Sequence, residues 1–490
     1  MSITINHQPQ NWIPVYSPIP YNLDSTKKNE VGFNYYAEIF SGNPLQDGFR
    51  IAELNIPPAP INGLGYMDIR RLVDSYTEYN VPETTDTFTE APKQFVETFV
   101  QFGEQTPRWR FLTNTQDGAY VEFFSTNEHN FEVGDEIVIS QDADYPSELQ
   151  PYEGLHTVLE VPNTTRIIID EVYLGVNNNV GGYISHADGR AITNKNLAED
   201  TVYCFASSFT RDEMVSYDDG DWISVQNDAS SKWLTNCPDF HSIGRDDELW
   251  LSTIQNQTND AATLFISTSG DTFNELGTYE IANPFLAESK YMVQVAVGVD
   301  QILTNEADTT IVTGTFPVFT DDVKYYSVSM QDGSSNKLVP KNYKINDEYA
   351  CSRFGNKKLM FRDRKGSLQT FNFPYKSKEK RSYKRKLYNH IDFGFNDSSF
   401  YNTPTDGGQR QFTIDERTEF QVYTDFISEA EADYFVKNLI ASPQVYEYQS
   451  SGVYKPVVIN NGSYEIKKRY NGLIQYKLTY SYALQDYLFV

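Results

Sequence analysis

The sequence predicts a mainly β protein: several β-sandwiches in series, a small inserted β-barrel and an α+β C-terminal domain. Three observations carry that expectation. Aromatic residues make up 14% of the 490 residues, with 35 Tyr and 31 Phe against 6 Met, and Tyr and Phe suit pleated, half-buried surfaces. Short runs of alternating apolar and polar residues recur between polar turns along most of the chain. Helical periodicity is clear in only two places. At roughly 150 residues per domain the length suits three or four domains. The pattern divides it more finely, into 1–117, 118–190, 191–325, 326–400 and 401–490.

In the first segment, Phe33 to Phe40 and Gly48 to Leu54 read as strands, and Pro57, Pro58 and Pro60 break the pattern before Asn62-Gly63. Asp68 is a plausible N-cap for a helix whose apolar face is Ile69, Leu72, Val73 and Tyr76. From 118 to 190, five short strands (Tyr120 to Phe124, Glu136 to Ser140, His156 to Val161, Arg166 to Asp170, Gly182 to Ser185) have the even spacing of a small barrel, with an exposed turn at Asn177 to Gly182. Val202 to Ser207, Glu248 to Thr253, Thr263 to Ser267, Tyr291 to Val297 and Thr310 to Thr315 then give the pattern of a sandwich. Near the end, Ser428 and Glu431 form a capping box. Ile427 sits at the staple position, and Ala432, Phe435, Val436, Leu439 and Ile440 line one helical face that stops at Ser442-Pro443. Val445 to Tyr448, Tyr464 to Lys468 and Ile474 to Tyr482 read as closing strands.

The charge excludes a general nucleic-acid binder. With 67 acids against 40 bases the chain carries −27, and such a surface repels a phosphate backbone. One stretch reverses the sign. Residues 351 to 390 hold thirteen bases against Asp363 and Glu379, a surplus of +11, which leaves 27 bases and 65 acids, or −38, on the remainder. The run Lys376 to Lys386, KSKEKRSYKRK, sends Lys376, Lys378, Lys380, Ser382, Lys384 and Lys386 to one face of an unbroken strand. Lys376, Lys378, Lys380, Arg381, Lys384, Arg385 and Lys386 are therefore the candidate partner-binding residues, facing an acidic protein surface. A solvated face and a DNA-lining patch are the competing readings.

Catalytic patterns are sparse. The sequence has no H-E-x-x-H, G-x-S-x-G or P-loop motif. Gly63-Leu64-Gly65 reads as a turn, not as a dinucleotide loop. Asp218-Asp219-Gly220-Asp221 lacks the alternating ligands and closing Glu of a calcium loop and reads as a solvated turn. His129 and His156, with Asp135 and Asp170, could be neighbours in the small barrel, but no close ligand spacing exists, and no metal or cofactor is expected. Cys204, Cys237 and Cys351 form no disulfide framework, the start lacks the pattern of a secretory signal, and no apolar run reaches the ~18 residues of a membrane span. Folding in a reducing cytoplasm is the expectation.

Several phrases resemble structural tail proteins of tailed bacteriophages infecting Bacteroidota, including the crAss-like phages. These are Asn11-Trp12 with Tyr16 to Ile19 and FNYYAEIF; Ile56-Pro57-Pro58 through Gly65 to Ile69; Trp233 to Asn236 with Pro238; Leu359 to Phe373 with the basic strand to Tyr388; and the ending from Ile427 through Ser442-Pro443, Tyr446, Pro456 and Tyr476 to Tyr482. The likeness spans residues 10 to 80 and 195 to 490 and leaves the small barrel as an insertion. It implies a non-enzymatic virion part of the hub, baseplate or collar, folded in the host cytoplasm. Such a part forms a homo-oligomeric ring with other copies and other tail proteins, with no membrane contact and nucleic acid only as a channel contact. A receptor-binding or glycan-degrading tail appendage is the alternative.

Overall fold

The computed structural model describes the chain except residues 1–2, 79–80, 83–85, 127, 142–151, 176–181, 225–230, 256–262, 286–290, 333–334, 337, 350–351, 354, 390–393, 397–398, 402–407, 451–452, 461–473, 485–486 and 489–490. The protein is mainly β. It forms two compact units, one of Met1–Glu78 with Lys93–Ala206 and one of Tyr79–Pro92 with Ser207–Val490.

The first unit is organised by two long strands, Phe95–Thr106 and Ile192–Phe205, paired antiparallel from Phe95 with Phe205 to Thr106 with Ile192. Asn34–Ser41, Phe49–Ile56 and Trp12–Pro14 complete that sheet, and Ile3–His7, Pro20–Ser25 and Gly65–Asp68 form a smaller one. Trp12 is fully buried and stacks on Tyr203 at 5.0 Å. The Gly63-Leu64-Gly65 segment leads out of a turn at residues 60–62, closed by the Gly63 N–H donating to the Ala59 carbonyl, into the strand Gly65–Asp68. Gly63 has φ of +71°, its carbonyl accepts from the Tyr35 hydroxyl, and a Cβ at Gly65 would lie 2.7 Å from the Tyr35 ring. The helix expected after Asp68 is shorter than its apolar spacing suggests: Arg70–Val73, then a 3₁₀ turn Asp74–Tyr76. Asp68 accepts from the backbone N–H groups of Arg70 and Ile19, which ties the helix start to the sheet.

Within this unit all five strands expected between 118 and 190 are present, as Tyr120–Phe124, Glu136–Gln141, Gly154–Asn163, Arg166–Val172 and Gly182–His186. Two more precede them, Trp109–Phe111 and Thr113–Asp117, so the structural boundary lies near 107 instead of 118. These two are the ends of the seven-stranded order, yet only Leu112 separates them in sequence. The sheet must therefore roll round on itself, which makes it a small barrel. Its interior is filled by Trp109, Phe111, Phe123, Phe131, Ile137, Ile167 and Ile184, among others, each worth roughly 1.5–3 kcal/mol on burial.

The second unit is a sandwich. One sheet runs in the order Lys378–Asn389, Gln409–Tyr423, Lys477–Tyr482, Val453–Ile459, Val445–Ser450, Lys357–Arg362, Leu368–Phe373, Trp250–Gln255, Tyr291–Ala296 and Phe88–Glu90. The facing sheet runs His241–Ile243, Lys341–Ile345, Tyr325–Asp332, Thr263–Ser269, Glu275–Ile281 and Thr309–Thr313. One core joins them, with Leu359, Phe371 and Leu478 from the first sheet and Ile266, Val328 and Tyr343 from the second. The segments 191–325, 326–400 and 401–490 thus share a sheet instead of forming separate bodies, because strands distant in sequence pair side by side. The capping box forms as read, with Ser428 Oγ accepting from the Glu431 N–H, and opens the helix Glu429–Tyr434. A π-helical turn, Phe435–Leu439, carries on the apolar face. The expected strand Tyr464 to Lys468 lies outside the described residues. Among the described residues no helix is long and apolar enough to cross a membrane.

Candidate interaction surface

The buried ionisable groups of the second unit serve as joints. Asp363 accepts from Thr235 Oγ1 at 2.6 Å and from the backbone N–H groups of Asn236, Lys365, Gly366 and Ser367 at 2.8 to 3.1 Å. Burial pushes its carboxyl upward, and these donors oppose that push. Asn438 accepts from Asn236 Nδ2 and from the Arg364 N–H, which locks the C-terminal helix onto the same knot. Asp247, raised by burial, is countered by Lys358 at 3.1 Å. Burial would likewise raise Glu431, but His241 and the Ser428 and Ser242 N–H groups overcome it and hold the carboxyl at about 2. The phrases Trp233 to Asn236, Leu359 to Phe373 and Ile427 to Ala432 therefore meet at structural contacts.

The histidine reading changes in detail. His129 packs edge-on against Trp109 at 4.9 Å and interacts with His186, not His156. Asp135 meets His186 at 3.6 Å and Arg190 at 2.6 Å, while Asp170 meets His156 at 3.5 Å. The imagined four-residue site is split into pairs, and among the described residues no cluster of three or more His, Cys, Asp or Glu could hold a metal. In the acidic turn, Asp218 Oδ1 caps the Gly220 N–H and Asp221 pairs with Lys232 at 3.0 Å. Cys204 and Cys237 are buried free thiols, each pushed up to about 12 by burial, and Cys351 lies outside the described residues.

A cleft of about 230 Å³ lies where the basic stretch begins, lined by Glu348, Arg353, Tyr375 and Asp425 among others. Burial, then Asp425, raises the Tyr375 hydroxyl, and the Ser352 hydroxyl of the cleft donates to the Pro374 carbonyl.

The seven candidate residues are all exposed. Lys376 precedes the strand, and Lys378, Lys380, Arg381, Lys384, Arg385 and Lys386 lie on Lys378–Asn389, exposed at each of its twelve positions. The strand is an edge: it pairs antiparallel with Gln409–Tyr423 over its whole length and, among the described residues, with no other strand. The resulting ribbon is a charge mosaic. Lys380 stands opposite Glu419 and Lys384 opposite Asp415, while Lys378, Arg385 and Lys386 stand opposite Gln421, Ile414 and Thr413. Arg381 pairs with Glu379 at 2.9 Å and Glu416 at 3.7 Å. The ribbon also exposes Tyr383, Leu387 and Phe412. Sequence reasoning missed the partner strand, which sets Asp415, Glu416 and Glu419 beside Arg410 and Arg417. The alternation of Ile414, Glu416, Thr418, Phe420 and Val422 was the signal for it.

A second exposed feature also went unread. Phe240 and Phe273 both adopt φ of +58°, a left-handed conformation unusual for bulky residues, and both rings meet Tyr325, Phe273 stacking on it at 4.4 Å. They remain 45% and 60% exposed. Neither a protein-family model nor a curated protein matches the chain.

Proposed function

We propose that the chain is a non-enzymatic structural component of a bacteriophage tail, in the hub, baseplate or collar region, which assembles in a ring and joins neighbouring tail proteins. The observation that carries this reading is the ribbon Lys378–Asn389 with Gln409–Tyr423, exposed along one whole strand. Lys378–Asn389 is the outermost strand of its sheet, carried by Gln409–Tyr423, which pairs on its other side with Lys477–Tyr482 and Tyr487–Leu488, and such an edge bearing Tyr383, Leu387 and Phe412 alongside paired charges is suited to a protein surface. The phrases that resemble tail proteins support the reading because they build sheet joints and the capped helix, the parts a shared scaffold would keep.

The test is to purify the full chain, image it by negative stain, and label particles of the encoding phage with an antibody against it. Rings, and label confined to the tail, are expected. Label on the capsid alone, or turnover of capsule polysaccharide or peptidoglycan that a single carboxylate substitution abolishes, would overturn the reading. The exposed rings of Phe240 and Phe273, packed on the half-buried Tyr325, favour a second reading, a receptor-binding or glycan-degrading appendage, because sugars stack on uncovered rings. Glycan-array binding lost in Phe273→Ala would favour it.

A further inference from the structure

Two free sheet edges in the second unit have opposite characters. One is the Lys378–Asn389 strand. The other is Thr309–Thr313, which pairs with Glu275–Ile281 on one side and, among the described residues, with no strand on its outer side. Its sequence, TTIVT, carries no charge and no proline, and Ile311 and Val312 are exposed. A β-branched, exposed edge without a charged residue or proline is a template for another strand, and proteins ordinarily blunt such edges unless they use them. Its surroundings are acidic. From Asp271 to Val323 nine acids stand against the single base Lys290, and Glu275, Glu280 and Asp308 lie on or next to the two edge strands.

We propose that the free edge of Lys378–Asn389 in one copy adds to the free edge of Thr309–Thr313 in the next. The inference rests on the ring-forming reading and names its contact. Backbone N–H and C=O groups left open on both edges are satisfied by the new ladder. Tyr383 and Leu387 on the one strand, and Ile311 and Val312 on the other, are the exposed apolar side chains that this ladder covers. Lys378, Arg385 and Lys386, whose cross-strand partners are uncharged, keep their charge for Glu275, Glu280 and Asp308 of the neighbour. Duplex DNA fits the ribbon less well. Asp415, Glu416 and Glu419 on the partner strand outnumber its Arg410 and Arg417, stand among the lysines and would repel phosphates. Two different patches meet, so the contact is head-to-tail: it closes into a ring where the rotation permits and runs into a filament otherwise.

Charge swapping tests this in the full chain. One variant carries Lys378→Glu, Arg385→Glu and Lys386→Glu, a second carries Glu275→Lys, Glu280→Lys and Asp308→Lys, and a third carries all six. Circular dichroism checks the fold, sedimentation velocity at low and high salt measures self-association, and hydrogen exchange reads the amides of both edges. Each triple is expected to weaken association by about tenfold or more and the six-fold variant to restore it. Amides of 309–313 and 378–387 slow their exchange on assembly. Wild-type assembly that neither triple weakens, or that leaves both edges exchanging freely, overturns the edge contact and leaves the ring reading standing. A wild-type chain that stays monomeric throughout overturns both. Lost duplex-DNA binding with unchanged self-association in the first triple reassigns the basic strand to nucleic acid and also overturns the contact.

Discussion

The small barrel of the first unit and the basic ribbon of the second are both antiparallel ladders, and they differ in what their side chains do. In the barrel the strands bury their side chains: Gly182–His186 alternates, burying every second residue, while Arg166–Val172 buries Ile167, Ile168 and Ile169 in one run. Along Lys378–Asn389 no residue is buried. The ladder hydrogen bonds are alike in both. Each such bond replaces bonds to water and nets only about 0.5–1.5 kcal/mol, so what separates a self-sufficient sheet from a ribbon awaiting a surface is the packing of its side chains.

The comparison breaks most visibly at the edges of the barrel. A fragment spanning 107–192 is expected to melt cooperatively, and one spanning 118–190 to be insoluble or unfolded. The shorter fragment discards two strands and with them Trp109 and Phe111, which are 2% and 0% exposed. Losing a buried aromatic costs roughly 3–5 kcal/mol, and two of them rival the roughly 5–15 kcal/mol that hold a small domain. Thermal denaturation followed by circular dichroism decides it. A cooperative melt from 118–190 would mean that the barrel does not need its end strands.

That boundary shows where sequence reasoning stops. The five central strands could be read because alternation such as Tyr120 to Phe124 or Gly182 to Ser185 repeats a local pattern. Thr113–Asp117 could not: TNTQD has no apolar member, and it is a strand only because its backbone pairs with Tyr120–Phe124. The same limit hid the mosaic on the ribbon. Lys376 to Lys386 was legible as a basic strand, but Glu419 opposite Lys380 and Asp415 opposite Lys384 are set by pairings between residues 39 and 31 positions apart in sequence. The capping box at Ser428 was legible because it lies within a single turn. Phe240 and Phe273 were not, since a left-handed φ at Phe carries no compositional mark.

A smaller effect sharpens the contrast through pH. His129 Nδ1 accepts from the Phe131 N–H at 3.2 Å, which assigns the ring proton to Nε2, 3.1 Å from the Arg166 carbonyl it donates to. Burial holds this imidazole down to about 4, from 6.5. A folded-state value below the unfolded one means that its contribution is fully present above pH 6.5 and is lost as pH falls from there towards 4. His186, also lowered by burial, adds to the same slope. The barrel fragment should therefore melt at progressively lower temperature over that window, and His129→Gln should flatten the dependence. A melting temperature constant from pH 6.5 to 4 would show that the ring is protonated without cost.

The smallest expected change in stability is on the ribbon, at Phe412. The register steps from Lys386 opposite Thr413 to Leu387 opposite Gln411, so Phe412 is the extra residue of a bulge, 65% exposed, with the Tyr388 ring edge-on at 6.3 Å. Phe412→Ser forfeits that ring contact and little burial, so unfolding of the monomer by denaturant should shift by less than about 1 kcal/mol. The equivalent test inside the barrel is Phe123→Ala, whose ring is fully buried against Phe111 at 4.6 Å, and there the cost is about 3–5 kcal/mol. Self-association should reverse that ranking: a side chain that contributes almost nothing to the isolated chain contributes when a second surface covers it, so Phe412→Ser should weaken assembly while Phe123→Ala, wherever it still folds, should not. If Phe412→Ser instead unfolds the monomer, the ribbon already has its covering layer within its own chain, and the distinction between the two ladders disappears.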